Sequence, residues 1–113
     1  MNAGGELADK AAAEIKVELL PVIDGVKLNP DEAYRLSVSG KLIKIEAVTE
    51  RGVYWALQTL RQLEKKKGKK SLFAGCEIVD WPAFRIRGFM QDVGRSYISV
   101  EELKREIEIL SRF

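Results

Sequence analysis

The stretch E-A-Y-R-L-S-V-S-G-K-L-I-K-I-E-A-V-T-E-R-G-V-Y-W-A-L-Q-T-L-R-Q-L, residues 32–63, carries two different periods in succession. Tyr34, Leu36 and Val38 alternate with polar residues, Ser39-Gly40 turns the chain, and Ile43, Ile45 and Ala47 resume the period of two. Such alternation places one face on a core and the other in water, so the stretch predicts an antiparallel β-hairpin with Lys44 and Glu46 outward. At Thr49 the period lengthens. Thr49 suits a helix N-cap, and Val53, Ala56, Leu57, Leu60 and Leu63 make one apolar stripe at helical spacing. A hairpin and an amphipathic helix with matching apolar faces bury each other, which predicts an α+β layer.

Working outward, Ile15, Val17 and Leu19 alternate with Glu14, Lys16 and Glu18, which predicts a half-buried strand ended by Pro21. Asp24-Gly25 and Asn29-Pro30 mark a turn-rich connection. The alanine-rich residues 7–13 read as a helical turn or a frayed leader. On the other side of the helix, the run Lys65-Lys66-Lys67-Gly68-Lys69-Lys70 reads as a solvated loop, with no aromatic residue interleaved for stacking on bases. Residues 76–82 are extended, because Pro82 disfavours helix before it. Residues 85–93 are mostly apolar and read as a strand buried on both faces of a parallel sheet, broken by Gly94. Ser99 and Glu102 form a capping box, and Ile98 can staple against Leu103. The helix they open has a stripe of Leu103, Ile107 and Leu110, with Phe113 at its edge, and i,i+4 pairs Glu101–Arg105 and Glu108–Arg112. A strand and its helix are half of a βαβ unit, so the chain is expected to be a piece of a longer protein. The last stripe is expected to be hidden by folding back or by pairing with a second copy.

Composition narrows the chemistry. The chain has 113 residues, 46% of them hydrophobic and 32% charged, which suits a compact domain with a small appendage. Nineteen basic residues against seventeen acidic give a net charge of +2, too balanced for an electrostatic nucleic-acid binder. There is no histidine, which removes Ser-His catalysis and imidazole metal sites, and Cys76 is the single cysteine, which removes an intramolecular disulfide and cysteine-cluster metal sites. Beside Gly75, Cys76 reads as a small half-buried apolar residue. No metal and no cofactor is expected. No apolar run of membrane-spanning length occurs.

Two blocks of residues resemble a known family. Glu32 to Leu36, Ile43 to Ala47 and Gly52 to Leu63 resemble the accessory domain that precedes the barrel in several glycoside hydrolase families. The pattern Ile78-x-Asp80-x-Pro82-x-Phe84-x-x-Arg87-Gly88-x-x-x-Asp92-x-x-Arg95 is more specific. It is similar to the opening strand of the catalytic barrel in family 20 glycoside hydrolases, the β-N-acetylhexosaminidases. Together the blocks span residues 14–113. The resemblance implies an antiparallel or mixed sheet covered by helices, a zincin-like accessory domain, over residues 1–80, with 1–13 as leader or helix remnant. It implies the first βα unit of a truncated (β/α)8 TIM barrel over 81–113. It further implies a parent enzyme that removes terminal, non-reducing N-acetylglucosamine or N-acetylgalactosamine with retention, the substrate's own acetamido oxygen acting as nucleophile. The Asp-Glu pair that such chemistry uses belongs later in the barrel, so the fragment alone is expected to be inactive and to carry no catalytic residue.

By the same resemblance Arg87 matches the arginine that grips sugar hydroxyls, a task suited to a planar fork of donors. Read without the family, Arg87 is a structural arginine paired with Asp92 or another carboxylate. Asp92 and Arg95 match the motif near the strand's end and are expected to orient its loop. Barrel active sites lie at the carboxyl ends of strands, whereas Arg87 opens its strand. Ser96 and Tyr97 stand where the family often has histidine and an aromatic, and Gln91 replaces a usually apolar residue. Trp55 is expected at the sheet's edge rather than stacked on a sugar. The partners implied are N-acetylated amino-sugar glycans, with no nucleic acid, no membrane span, and a possible homodimer through the exposed βα arm. The family's members are often secreted, periplasmic or lysosomal, and this chain does not choose among these. The alternatives are a family 84 N-acetylglucosaminidase as parent, or a non-catalytic carbohydrate-binding or assembly module.

Overall fold

The computed structural model describes residues 8–9 and 13–113. In chain order the elements are β1 (Ala8–Asp9), β2 (Glu14–Leu19), a 3-10 turn (Pro30–Glu32), β3 (Tyr34–Val38) and β4 (Leu42–Ala47), then α1 (Glu50–Leu63), β5 (Glu64–Lys67), β6 (Lys70–Phe73), β7 (Cys76–Asp80) and α2 (Val100–Leu110). Four strands make a mixed sheet in the order β2-β4-β3-β7, and β1-β6-β5 make a second, smaller one.

The hairpin forms as its alternation predicts. β3 and β4 pair antiparallel with Tyr34 opposite Ala47, Leu36 opposite Ile45 and Val38 opposite Ile43. All six of these are buried, and Leu36, Ile43 and Ile45 are the largest fully buried side chains. Each removes enough apolar surface from water to contribute about 1.5–3 kcal/mol. The opposite face is polar: Lys44 reaches Glu46 at 2.7 Å and Glu18 at 3.2 Å, and Arg35 reaches Glu46 at 3.7 Å. The Lys44 ammonium holds the Glu46 carboxyl below the usual carboxylate range against the opposing effect of burial. One face in the core and one laced with charge specify the register, since a slip of one residue would exchange them.

α1 covers β3 and β4. Thr49 caps it, accepting from the Arg51 amide at 3.2 Å while its hydroxyl donates to the Asp31 carbonyl. The buried positions are Gly52, Ala56, Gln58 and Leu60, with Val53, Trp55 and Leu63 packed beside them. Leu57, expected on the stripe, is exposed. The helix is turned so that Gly52 meets the backbone just after the 3-10 turn: a Cβ there would fall inside the Ala33 carbonyl oxygen and 3.0 Å from the Ala47 Cβ. That close approach rotates Leu57 outward.

Four further expectations are corrected. β2 pairs parallel to β4, with Ile15, Val17 and Leu19 on the face that α1 covers elsewhere. They are nevertheless exposed rather than half-buried, because β2 lies at the sheet's edge, away from the helix. The lysine run is not a loop but the β5–β6 hairpin, with Gly68 at φ +62° in its two-residue turn, where glycine relieves the strain of positive φ. Its lysines are exposed. Ala8–Asp9 is a strand on β6, not helix, and the rest of the expected leader lies outside the described residues.

The largest correction concerns residues 85–93, which are not a strand. Strands are stabilised by hydrogen bonds to neighbours, and an apolar strand suited to burial on both faces has none here. Ile86 and Met90 are accordingly almost wholly exposed. α2, by contrast, forms with its full capping box: Ser99 Oγ accepts from the Glu102 amide at 3.2 Å and the Glu102 carboxylate accepts from the Ser99 amide at 3.1 Å. Local chemistry suffices for the cap where the strand needed partners. Glu108 and Arg112 pair at 3.5 Å. Ile107, Leu110 and Phe113 remain exposed, so the stripe is not hidden within one chain, although the Tyr54 hydroxyl on α1 donates to the Ser111 carbonyl at 2.5 Å.

Candidate functional site

Where the sheet layer meets the segment after β7, side chains from four places converge. Asn29 adopts a left-handed conformation (φ 44°) that asparagine tolerates better than most residues, and stands at the N-cap position of the 3-10 turn, its side chain free of that turn. Its amide donates to the Pro82 carbonyl at 2.7 Å and so fastens the end of the extended stretch. The turn presents Glu32, whose side chain is only 10% exposed. α1 presents Trp55, whose indole N–H donates to Glu32 Oε2 at 2.8 Å. The irregular segment presents Arg87, whose Nη2 donates to the same oxygen at 2.6 Å, while Nη1 donates to the Phe84 carbonyl at 2.6 Å. The guanidinium lies over the Trp55 ring, 5.2 Å from its centroid, within cation–π range.

The electrostatics follow from these contacts. The Arg87 hydrogen bond holds the Glu32 carboxyl below the usual carboxylate range; burial opposes it, and the Trp55 N–H and the nearby charges of Arg87 and Arg51 assist. Below Glu32, the Tyr34 hydroxyl meets Thr59 Oγ1 at 2.6 Å and donates to Asp80 Oδ2 at 3.4 Å. Burial raises the Tyr34 phenol, Thr59 opposes this and Asp80 adds to it. These residues, with Gln58, Gln62, Trp81 and Phe113, line a cleft of about 220 Å³. Two carboxylates line it, but Glu32 is held ionised by its arginine and thus unsuited to donate a proton to a leaving group. Glu102, a further carboxylate with a lowered pKa, is occupied by the Ser99 cap.

Of the residues singled out from sequence, Arg87 is paired with a carboxylate, and that carboxylate is Glu32 rather than Asp92. Asp92 and Arg95 stand apart from the cleft and hold a local turn. Asp92 Oδ1 accepts from the Gly94 and Arg95 amides at 2.8 and 3.3 Å, and Asp92 Oδ2 faces Arg95 Nε at 3.4 Å. The Arg95 side chain is 91% exposed. Cys76 is half-buried against the core, and burial raises its thiol, so it is not an activated nucleophile. Sequence reasoning missed Glu32, Tyr34 and Thr59 as parts of the cleft. The signal for Glu32 was slight: an acid in a Pro-initiated turn directly before an apolar strand. Among the described residues no cluster of metal-ligating side chains occurs, and no helix is long and apolar enough to cross a membrane.

The chain has relatives. Residues 2–81 match the family described as glycosyl hydrolase family 20, domain 2. A β-hexosaminidase of Porphyromonas gingivalis is 37% identical over 90 residues, 74% of this chain and 12% of that protein. A β-hexosaminidase of Vibrio furnissii is 34% identical over 105 residues, 93% of this chain and 16% of that protein. The exo-β-N-acetylglucosaminidase of Vibrio harveyi, solved with N-acetylglucosamine, superposes with a TM-score of 0.76 at 39% identity, over 87% of this chain and 15% of that one. The β-N-acetylhexosaminidase of Bacteroides fragilis gives 0.74 at 32% identity, over 87% and 19%. The chain thus spans less than a fifth of the length of these relatives. A mixed sheet under one capped helix, matched by the family's own domain over most of the chain, places this protein in glycosyl hydrolase family 20, whose relatives are β-hexosaminidases.

Proposed function

We propose that this chain is the accessory unit and the opening segment of a β-N-acetylhexosaminidase that removes terminal, non-reducing N-acetylglucosamine or N-acetylgalactosamine with retention. Residues 1–80 serve as the accessory unit and 81–113 as the first strand and helix of the barrel. The reading is carried by the likeness to family 20 enzymes over 87–93% of the chain, which extends past the domain match that ends at residue 81. The substrate's acetamido oxygen supplies the nucleophile in this chemistry, so the enzyme owes the reaction a general acid and an acetamide-orienting carboxylate. Neither Glu32, clamped by Arg87, nor Asp80, turned to Tyr34, suits those roles, and the chain by itself is inactive. Residues 85–93 become a strand once neighbouring barrel strands give it hydrogen-bond partners, and the same neighbours cover Ile107, Leu110 and Phe113. Pairing of two chains through this arm is the alternative cover.

The resemblance assigned the sugar contact to Arg87. The bonds of Arg87 to Glu32 and to the Phe84 carbonyl favour a second assignment, because they leave less of its fork for a pair of hydroxyls. Arg95 lies at the carboxyl end of the same segment, where barrel sites are built, and its fork is open beyond Asp92. In this reading Arg95 binds the sugar and Asp92 orients it. The test is a chimera in which this chain replaces the matching part of the Vibrio harveyi enzyme, checked for folding by circular dichroism. The chimera hydrolyses an aryl N-acetylglucosaminide, and Arg95→Gln lowers kcat/KM by about tenfold or more, the worth of one lost charged hydrogen-bond donor. A smaller loss from Arg95→Gln than from Arg87→Gln returns the sugar contact to Arg87, and a folded but inactive chimera defeats the functional reading.

A further inference from the structure

We infer that Glu32 and Trp55 form a clasp that fixes the segment carrying Arg87 on the accessory layer, with Glu32 a positioning residue that acts through the Arg87 guanidinium. Residues 83–97 contain neither strand nor helix, so no ladder of backbone hydrogen bonds holds them in place. Phe84, Ile86, Phe89, Met90 and Val93 are all exposed, so apolar burial does not hold them either. Among the described residues, the side-chain bond that ties this stretch to the layer is that of Arg87.

The geometry of that bond is built from both sides. Glu32 and Trp55 approach from separate elements of the layer, the 3-10 turn and α1, and are themselves joined at 2.8 Å. Together they offer a planar cation one anionic oxygen and one aromatic face, at 2.6 Å and 5.2 Å. Arginine satisfies both at once because its guanidinium is flat, delocalised and weakly hydrated; lysine would satisfy only the charge. The second branch of the fork, on the Phe84 carbonyl, folds the backbone of 84–87 around the same group. Exposed ion pairs contribute little. This one differs because the carboxylate side is nearly buried, so removing the cation strands a charge away from water. The clasp therefore couples the orientation of the layer to the segment running from Arg87 to the Asp92–Arg95 turn. The inference stands on the described geometry and does not require any sugar to bind.

Two measurements on the intact 113-residue chain test it. The chain has two tryptophans, so its NMR spectrum holds two side-chain indole N–H signals, one at the clasp and one from Trp81, which serves as reference. Glu32→Gln and Arg87→Gln, made separately, are each expected to move the Trp55 indole signal further than that of Trp81, which lines the same cleft without a hydrogen bond to either residue. The second measurement is limited trypsin digestion. In the native chain cleavage after Arg95 is expected to outpace cleavage after Arg87, and Glu32→Gln is expected to raise the Arg87 rate relative to Arg95 by about tenfold, the factor of one charge-assisted hydrogen bond. Arg87→Lys keeps the charge but is expected to restore neither the Trp55 signal nor the protection. If Glu32→Gln unfolds the layer, Arg87→Gln removes the clasp from the exposed side and its indole shift decides. An unmoved Trp55 signal in a folded Arg87→Gln variant, or unchanged cleavage in a folded Glu32→Gln variant, overturns the inference. Failure of the sugar assay above leaves it untouched.

Discussion

Gly52→Ala separates two opposing effects by the sign of the outcome. Gly52 lies in the first turn of α1. Were the helix surface open there, alanine would stabilise the protein by up to about 1 kcal/mol, the difference in helix propensity. The structure places the Ala33 carbonyl oxygen where the new methyl would sit, with the Ala47 Cβ 3.0 Å away. The oxygen belongs to the backbone directly after the 3-10 turn and cannot swing aside as a side chain would. Overpacking of this kind costs about 1–3 kcal/mol against a propensity gain of up to about 1 kcal/mol, so the net effect is a destabilisation of up to about 2 kcal/mol. For a chain of this size that lowers Tm by several degrees, about 4–8 °C per kcal/mol. Urea melts followed by circular dichroism, with Arg61→Ala on the exposed face of α1 as control, give the sign directly. The same displacement moves Glu32, one residue from the obstructing carbonyl, so the Trp55 indole signal shifts as well. A Gly52→Ala variant more stable than the native chain would refute the close approach of α1 to the turn.

Two further outcomes follow from the same packing and charge. Leu36→Ala, at a fully buried position, is expected to cost roughly 2–5 kcal/mol in a urea melt, whereas Leu57→Ala, on the solvent side of α1, costs less than about 1 kcal/mol. Equal losses would show the helix rotated otherwise. The folded-state pKa of Glu32 lies below its unfolded value of about 4.3, so its stabilising contribution is full above that pH and is lost as the pH falls through the lower folded value. Tm is therefore expected to decline below about pH 4.5, with a shallower decline in Glu32→Gln; identical profiles would deny the arginine's hold on the carboxylate.

The hairpin and both helices were legible because their signals are local: alternation over Tyr34 to Ala47, the Thr49 cap, and the Ser99–Glu102 box each stabilise structure within a few residues. What the sequence left open depends on neighbours. Val53, Ala56, Leu57, Leu60 and Leu63 share a broad apolar arc, and hydrophobicity alone does not say that Gly52 meets the Ala33 carbonyl while Leu57 faces solvent. The alternation of Ile15, Val17 and Leu19 gives their common face but not the edge position that leaves it exposed. The lysine run hid a hairpin because β5 and β6 carry exposed charge on short strands, with only Gly68 to mark the turn. Residues 85–93 have a strand's composition, yet a strand is a property of a pair. For the cleft, Arg87 stood out through its motif, while its partner Glu32 lies 55 residues away, a distance across which no local pattern reaches.

As proposed, this chain carries the accessory unit and opening segment of a family 20 enzyme without the Asp-Glu pair that its chemistry uses. Its lack of that pair is tested most directly by incubating the purified 113-residue chain with an aryl N-acetyl-β-glucosaminide and following aryl release. The account predicts release at the rate of the buffer blank. Turnover that co-elutes with the folded chain on gel filtration and scales with its concentration would contradict it.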